Sequence, residues 1–189
     1  MRFLSVVPVL FVLLQGCAAT SRHGESLVTP LPPGYTRTEL RSTDGLEHVE
    51  MIPSGEHSSN WTEMVETETF KGGVEEGDPE HFAQWLAGRW KDDCPAGTVG
   101  PIDSTPRNGY PAAFWRMDCP RTTTGGKPAH TLSLAIEGTY AFYTVQKTWR
   151  SDPDEKEISA WARAFFGDVT VCDDASEAGH PCPGRGPGR

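Results

Sequence analysis

The sequence predicts an α+β protein in which a mostly antiparallel sheet carries two main helices and is braced by disulfides. Strand-like segments follow one another without an intervening helix, which favours antiparallel pairing. Two segments with helical spacing each begin at an Asp-Pro pair. Setting aside Cys17, the chain holds four cysteines, and an even number is typical of disulfide-bonded exported proteins.

Two strands are predicted before the first helix, over residues 46–52 and 61–70. The first is apolar at intervals and ends at Pro53, and the second alternates Thr and Glu with larger side chains. Residues 54–60 are polar and form the connecting loop. A further strand is predicted over residues 110–119.

The second half of the chain contains a hairpin pattern. Residues 130–136 alternate cleanly, Glu137-Gly138 is predicted to form a two-residue turn, and residues 140–149 form the returning strand. The order of elements is therefore strand, strand, helix, one or more strands, hairpin and helix.

Both helices have clear starting signals. Asp78-Pro79-Glu80 combines a capping carboxylate, a proline at the first helical position and an acid in the first turn. The buried face of this helix is formed by Phe82, Trp85, Leu86 and Trp90. The second helix is predicted to open at Asp152-Pro153, and its shared face is formed by Ile158, Trp161, Ala162 and Phe165.

The N-terminus has the pattern of a lipoprotein precursor. About a dozen apolar residues follow Arg2, which is too short to span a bilayer of ~30 Å but suits a signal peptide. They end in Leu14-Gln15-Gly16-Cys17, which resembles the lipobox of bacterial lipoproteins. The resemblance implies cleavage after residue 16 and acyl chains, palmitate among them, on Cys17. An ordinary signal peptide or an uncleaved anchor is the alternative.

The same resemblance suggests a location and a domain plan. Ala18 stands where an Asp tends to retain lipoproteins in the inner membrane, so the implied address is the outer membrane, facing the periplasm. Residues 1–16 are then the signal peptide, 17–34 the lipid anchor and a flexible tether rich in proline, 35–175 a single α+β domain, and 176–189 a Gly/Pro-rich tail.

The body of the chain has a further resemblance. The order of its elements, with residues 60–65 (Asn-Trp-Thr-Glu-Met-Val) and 143–147 (Tyr-Thr-Val-Gln-Lys), resembles the αβα sandwiches of the PsbP/Mog1-like group and small bacterial envelope proteins. The resemblance covers about residues 35–175. It implies a fold, and the functions within this group are too varied to imply more.

Four cysteines allow three disulfide pairings. We favour Cys94–Cys119, because these residues end neighbouring elements, and Cys172–Cys182, because they flank a short loop without a core of its own. A metal site is the alternative for the second pair, with ligands Cys172, Asp173, His180 and Cys182, although this spacing matches no zinc pattern.

No catalytic, cofactor-binding or metal-ligating constellation is predicted. His48 and Glu50 can share one strand face, and His57 lies in a polar loop, but neither has the context of a nucleophile and its base. His81 and His130 are predicted to be surface residues. The chain lacks a phosphate loop, HExxH, paired CxxC and an EF-hand pattern.

Six tryptophans are many for a body of this size. Four lie on apolar faces of predicted elements, so core packing explains most of them. The alternative is an aromatic ligand groove, for which the candidates are Tyr110, Trp149 and Arg150.

The net charge of the chain argues against two classes of binding partner. The net charge of −9 argues against binding of nucleic acid, which needs a basic surface, and against electrostatic adhesion to anionic lipid. The leading hypothesis is a non-enzymatic envelope lipoprotein, held on the membrane by Cys17, that binds a protein partner or supports assembly. A periplasmic glycan- or small-ligand-binding module and a hydrolase with a dispersed site are the alternatives.

Overall fold

Nine strands and two helical segments form the structure, a computed structural model that describes residues 24–75, 77–173 and 179–183. The strands are β1 (Glu25–Val28), β2 (Tyr35–Thr43), β3 (Leu46–Pro53), β4 (Glu63–Lys71), β5 (Thr98–Val99), β6 (Ala112–Cys119), β7 (Ala129–Glu137), β8 (Ala141–Trp149) and β9 (Thr170–Asp173). Seven form one antiparallel sheet in the order β2-β3-β4-β8-β7-β6-β5, while β1 and β9 pair as a separate ribbon.

The first helix, α1 (Pro79–Asp93), begins where the sequence predicts. The Asp78 carboxylate accepts hydrogen bonds from the backbone N–H groups of Glu80 and His81, at 2.9 and 3.0 Å, and Pro79 occupies the first turn. The helix ends at Cys94, whose N–H donates to the carbonyl of Trp90. Both ends are thus fixed by local contacts.

The second helix begins later than predicted. Helix α2 (Glu155–Ala160) is capped by Asp154, whose carboxylate accepts from the Glu157 N–H at 2.7 Å, and it continues as a π-helical segment, Trp161–Phe165. Asp152 lies two residues before this cap, and its carboxylate contacts His130 instead.

The helices pack on opposite faces of the sheet. On one, which we call the α1 face, α1 lies mainly over β6 and β7. Its core consists of Phe82, Ala83, Ala113, Trp115, Met117, Ala135 and Phe142. On the other, the α2 face, Ile158, Phe165 and Phe166 pack with Val171 of β9 against the apolar side chains of β7 and β8. The α+β class with an antiparallel sheet between two helical layers is confirmed.

Parts of the predicted tether and tail belong to the folded body. Residues 25–28, assigned from sequence to the tether that ends at 34, form β1, and Glu25 lies opposite Asp173 in the ribbon. In the tail, Cys182 is bonded to Cys172, and the His180 ring lies 4.0 Å from that of Tyr110. The body therefore begins before residue 35 and extends past 175.

The β7–β8 turn has three residues, 138–140, rather than the two predicted. A Cβ atom on Gly138 would lie 2.3 Å from the Glu25 carboxylate and 2.9 Å from the Ala141 carbonyl oxygen, so a larger residue there would displace both. Among the described ranges, neither helix has the length and apolar character needed to cross a bilayer. Cys17 and the rest of the predicted signal peptide lie outside the described residues.

Candidate functional site

Four ionisable side chains meet on the part of the α1 face that extends beyond α1. The strand register sets His48 opposite Glu68, and Glu50 opposite Glu66. His48 Nε2 lies 3.3 Å from a Glu50 oxygen, and its Nδ1 lies 3.3 Å from Glu66 and 3.6 Å from Glu68. All four are partly buried. We call His48, Glu50, Glu66 and Glu68 the acidic patch.

The charges of the acidic patch are unbalanced. Burial opposes protonation of His48, but its hydrogen bond to Glu50 and the charges of Glu66 and Glu68 outweigh burial and raise its pKa. The pKa of Glu66 is raised by burial first and then by the charges of Glu68 and Glu50. Three carboxylates thus share a single imidazole.

The acidic patch also offers donors suited to a divalent cation. His48 Nδ1 and one oxygen each of Glu66 and Glu68 lie within 4.8 Å of one another. Zinc bonds of roughly 2.0–2.2 Å place tetrahedral ligands roughly 3.3–3.5 Å apart, close to the 3.3 and 3.6 Å that separate His48 Nδ1 from Glu66 and Glu68. A proton on His48, a metal ion and a cationic group of a partner are therefore three ways of balancing the same charges.

A groove of about 620 Å³ lies on the α2 face, between β1 and strands β2, β3, β4 and β8. Its apolar lining includes Leu27, Val49 and Met51, and its polar lining includes Thr67 and Lys71. Such a mixture of apolar walls and a few polar groups is typical of small-molecule sites.

Glu25 lines this groove beside the β7–β8 turn. Its carboxylate accepts hydrogen bonds from the backbone N–H groups of Thr139 and Tyr140, at 2.7 and 3.1 Å, and from the Tyr143 hydroxyl at 3.1 Å. These bonds attach the first strand of the body to the β7–β8 turn.

A buried lysine lies beside the second helical layer. The Lys147 side chain is fully buried, and its ammonium donates to the Tyr35 hydroxyl at 2.6 Å and to the Glu63 carboxylate. The rings of Trp149 and Trp161 lie 4.7 and 4.3 Å from Nζ. Burial lowers the pKa of Lys147 to about 8, against the opposing hydrogen bond and charge of Glu63.

His130 is not the surface residue predicted from sequence. Its side chain is only 16% exposed and bridges two carboxylates, with Nδ1 2.7 Å from Asp118 and Nε2 3.1 Å from Asp152. Arg116 extends this network by contacting Asp118 at 2.7 Å and Glu155 at 2.8 Å. The network links the sheet to the start of α2.

The other two candidate histidines make local contacts. His57 Nδ1 lies 2.9 Å from the Ser59 hydroxyl in the exposed loop before β4. His81 lies 2.8 Å from Asp78 at the start of α1, and both are exposed. The structure thus places both histidines in short-range turn and cap interactions.

The three residues of the predicted aromatic groove do not come together. Tyr110 lies next to the start of β6, is buried and contacts His180. Trp149 lies at the opposite end of the sheet, is buried and donates its indole N–H to Glu157 at 2.7 Å. Arg150 lies over the ring of Trp61. Both aromatic candidates are core residues.

The structure contains the disulfides Cys94–Cys119 and Cys172–Cys182, the pairs that the sequence analysis favours. The first joins the end of α1 to the end of β6. The second rules out the alternative metal site, because the sulfur atoms of Cys172 and Cys182 are bonded to each other.

Sequence reasoning found only half of the acidic patch. His48 and Glu50 are visible as a pair at i and i+2 on one strand. Glu66 and Glu68 have the same spacing on the next strand, but only the β3–β4 register brings the two pairs together. A repeated i, i+2 pattern of ionisable residues on consecutive strands is the signal that could have found the patch.

No protein-family model matches this chain, and no curated protein does. Among solved structures, it is similar to cyanobacterial PsbP (CyanoP) from Synechocystis, with 9% identity, a TM-score of 0.52 and coverage of 84% of this chain and 98% of that one.

Two further structures have comparable similarity. LpqN, described as involved in cell envelope biogenesis of Mycobacterium tuberculosis, has 12% identity and a TM-score of 0.51, covering 81% of this chain and 87% of its own. A mutant of the protein Mog1 has 11% identity and a TM-score of 0.50, covering 80% and 94%. The chain therefore has a Mog1/PsbP-like fold. At this identity the similarity establishes the fold alone.

Proposed function

We propose that this protein is a non-enzymatic lipoprotein of the cell envelope that binds a basic protein partner through its acidic patch. The observation that carries the proposal is the grouping of three carboxylates, each 18–28% exposed, around His48. A partner that presents lysine or arginine side chains would balance these charges.

Two features support an envelope location. The structure contains two disulfides. Disulfides form and persist in oxidising compartments outside the cytoplasm. The lipobox-like segment that ends at Cys17 supports lipid attachment at that residue, with the outer membrane, facing the periplasm, as the proposed address. A protein partner held near the same membrane would meet the patch at a raised effective concentration.

Neutralising the patch is expected to weaken partner binding without unfolding the protein. In the triple variant Glu50→Gln, Glu66→Gln, Glu68→Gln, the loss of three ion pairs of about 0.5 kcal/mol each predicts about tenfold weaker binding. The measurement is crosslinking in cells through a photoreactive residue at position 146, which lies opposite Glu66 on β8. The expected adduct contains a lysine- or arginine-rich contact peptide.

A matched control removes the same number of charges elsewhere. Glu80, Asp92 and Asp93 lie on α1 and are exposed, so their replacement by Gln and Asn changes the net charge equally and should leave the adduct intact. The patch variant should accumulate normally, since it relieves repulsion between carboxylates. An adduct of unchanged yield in the patch variant would contradict the proposal, and zinc binding by the wild type that the patch variant has lost, in place of an adduct, would identify the patch as a metal site.

Loss of the anchor is expected to impair function more than loss of any single histidine. Cys17→Ser should abolish lipid attachment and detergent partitioning, and it should reduce complementation of a deletion strain at equal abundance. His57→Ala and His81→Ala should complement fully, because both residues make only local contacts. Full complementation by Cys17→Ser would contradict the anchoring proposal.

The groove supports a second candidate function, the binding of a small amphipathic ligand. Its volume of about 620 Å³ and its mixed lining carry this candidate. The two functions are separable, because the groove lies on the α2 face and the acidic patch lies on the α1 face. Variants of Thr67 or Lys71 should affect the groove alone and leave the photo-adduct at residue 146 unchanged.

A further inference from the structure

Three turns gather at one end of the main sheet. They are residues 44–45 between β2 and β3, residues 72–74 after β4, and residues 138–140 between β7 and β8. The Lys71 N–H donates to the Gly45 carbonyl at 2.7 Å, and the Gly72 N–H donates to the Tyr140 carbonyl at 3.3 Å. We call this group of turns the tip end. Tyr140 lies on it with 47% of its surface exposed.

The first strand of the body is fixed to the tip end. Glu25 binds the backbone of Thr139 and Tyr140 and the hydroxyl of Tyr143. It also pairs with Asp173 of β9 in the ribbon. The chain therefore enters the body beside the β7–β8 turn, and contacts with two separate elements hold its entry point there.

The position of Glu25 limits how far the body can lie from the lipid. Eight residue steps separate Cys17 from Glu25, and even a fully extended chain of that length spans at most roughly 28 Å. A tether that continued to residue 34 would reach about twice as far. Since Glu25 contacts the tip end, that end must lie within roughly one tether length of a bilayer that holds the acyl chains.

We propose that the tip end is a membrane-facing surface and that Tyr140 contacts the lipid headgroup region. This inference rests on the proposed lipid anchor at Cys17. Tyrosine is suited to the place, because its ring is apolar and its hydroxyl remains hydrated at the interface. Asp44 and Glu137 lie near the same end, so the short tether rather than charge attraction keeps this surface near the lipid.

The orientation has a consequence for the acidic patch. The strands run away from the tip end, so the sheet stands upright on the membrane and His48 and Glu66 face sideways. The loop around His57 and the network around His130 lie at the far end. A partner in the same membrane could then reach the patch laterally.

Hydrogen exchange measured by mass spectrometry tests this surface. Lipidated protein in nanodiscs of phosphatidylethanolamine and phosphatidylglycerol is compared with the same mature chain exported without lipid. We expect amides of residues 44–46, 72–74 and 138–141 to exchange at least about threefold more slowly in nanodiscs. Residues 57–61 and 150–154, at the far end, should exchange equally in both samples.

A tether variant separates the orientation from the anchor. A Gly/Ser insert of 40 residues after position 22 has an r.m.s. reach of roughly 35 Å, so it should abolish the protection while the lipid remains. Tyr140→Ser should reduce the protection without the insert. Equal exchange of lipidated and lipid-free protein at the tip end would overturn the orientation alone, whereas a protein mass without lipid would overturn the anchor and the orientation together.

Discussion

Replacing Glu63 by glutamine is expected to destabilise the protein by about 1.4 kcal/mol at pH 7, because the buried Lys147 ammonium loses its counter-charge and must give up the proton that a pKa of about 8 retains there. The Lys147 side chain has no solvent exposure, so water cannot replace the lost carboxylate. The hydroxyl of Tyr35 and the two indole rings remain, but they carry no full negative charge.

The size of this loss should depend on pH. The pKa of Lys147 is lowered to about 8 in the folded protein, against about 10.4 in an unfolded chain. Between these values the unfolded state binds one more proton than the folded state, so the lysine makes wild-type stability rise with pH through this window. Above pH 8 the wild-type lysine is itself neutral and no longer needs Glu63, so the cost of Glu63→Gln should shrink.

Urea unfolding at pH 7 and pH 9.5, followed by tryptophan fluorescence, measures both effects. Glu39→Gln is the control, because it removes the partner of Arg41 in a surface ion pair and should cost less than about 1 kcal/mol at either pH. A Glu63→Gln cost below about 1 kcal/mol at pH 7, or one that grows at pH 9.5, would show that the Lys147–Glu63 pair does not act as described.

The elements that the sequence predicts best are those fixed by contacts within a few residues. The cap of α1 depends on Asp78 and the next three residues, and the β7–β8 hairpin depends on a turn beside Gly138. Strands β1 and β9 have four residues each, and they pair although most of the chain separates them, so no local pattern predicts the pairing. Strand β2 alternates charged and polar residues at the sheet edge, so its sequence lacks the apolar pattern of a half-buried strand.

Lys147 shows why the local sequence pattern does not predict the partners of a buried charged residue. Tyr143, Val145, Lys147 and Trp149 alternate along β8 and all face the α2 layer, so Lys147 occupies a position that the pattern assigns to the core. Its counter-charge lies on β4, and the aromatic ring of Trp161 comes from the helical layer. Only tertiary structure supplies these partners, although a lysine at a core position is itself a signal that one must exist.

Breaking the Cys94–Cys119 disulfide is expected to cost more stability than breaking Cys172–Cys182. The sequence separations of 25 and 10 residues give about 3.5 and about 2.7 kcal/mol in the loop-entropy model. Packing widens the difference, since the first bridge is buried in a small cluster with Ala129. The second holds a segment that backbone hydrogen bonding also retains, through the Asp173 N–H and the carbonyl of residue 180.

Paired alanine variants measure the difference without leaving a free thiol. Cys94→Ala with Cys119→Ala should lower the urea midpoint well below that of Cys172→Ala with Cys182→Ala, and each is compared with the oxidised wild type at pH 7. The reduced wild type provides the control, because its free energy of unfolding should fall by the sum of both contributions, roughly 6 kcal/mol. If the second pair costs as much as the first, the segment around residue 180 contributes to the core rather than bracing its edge.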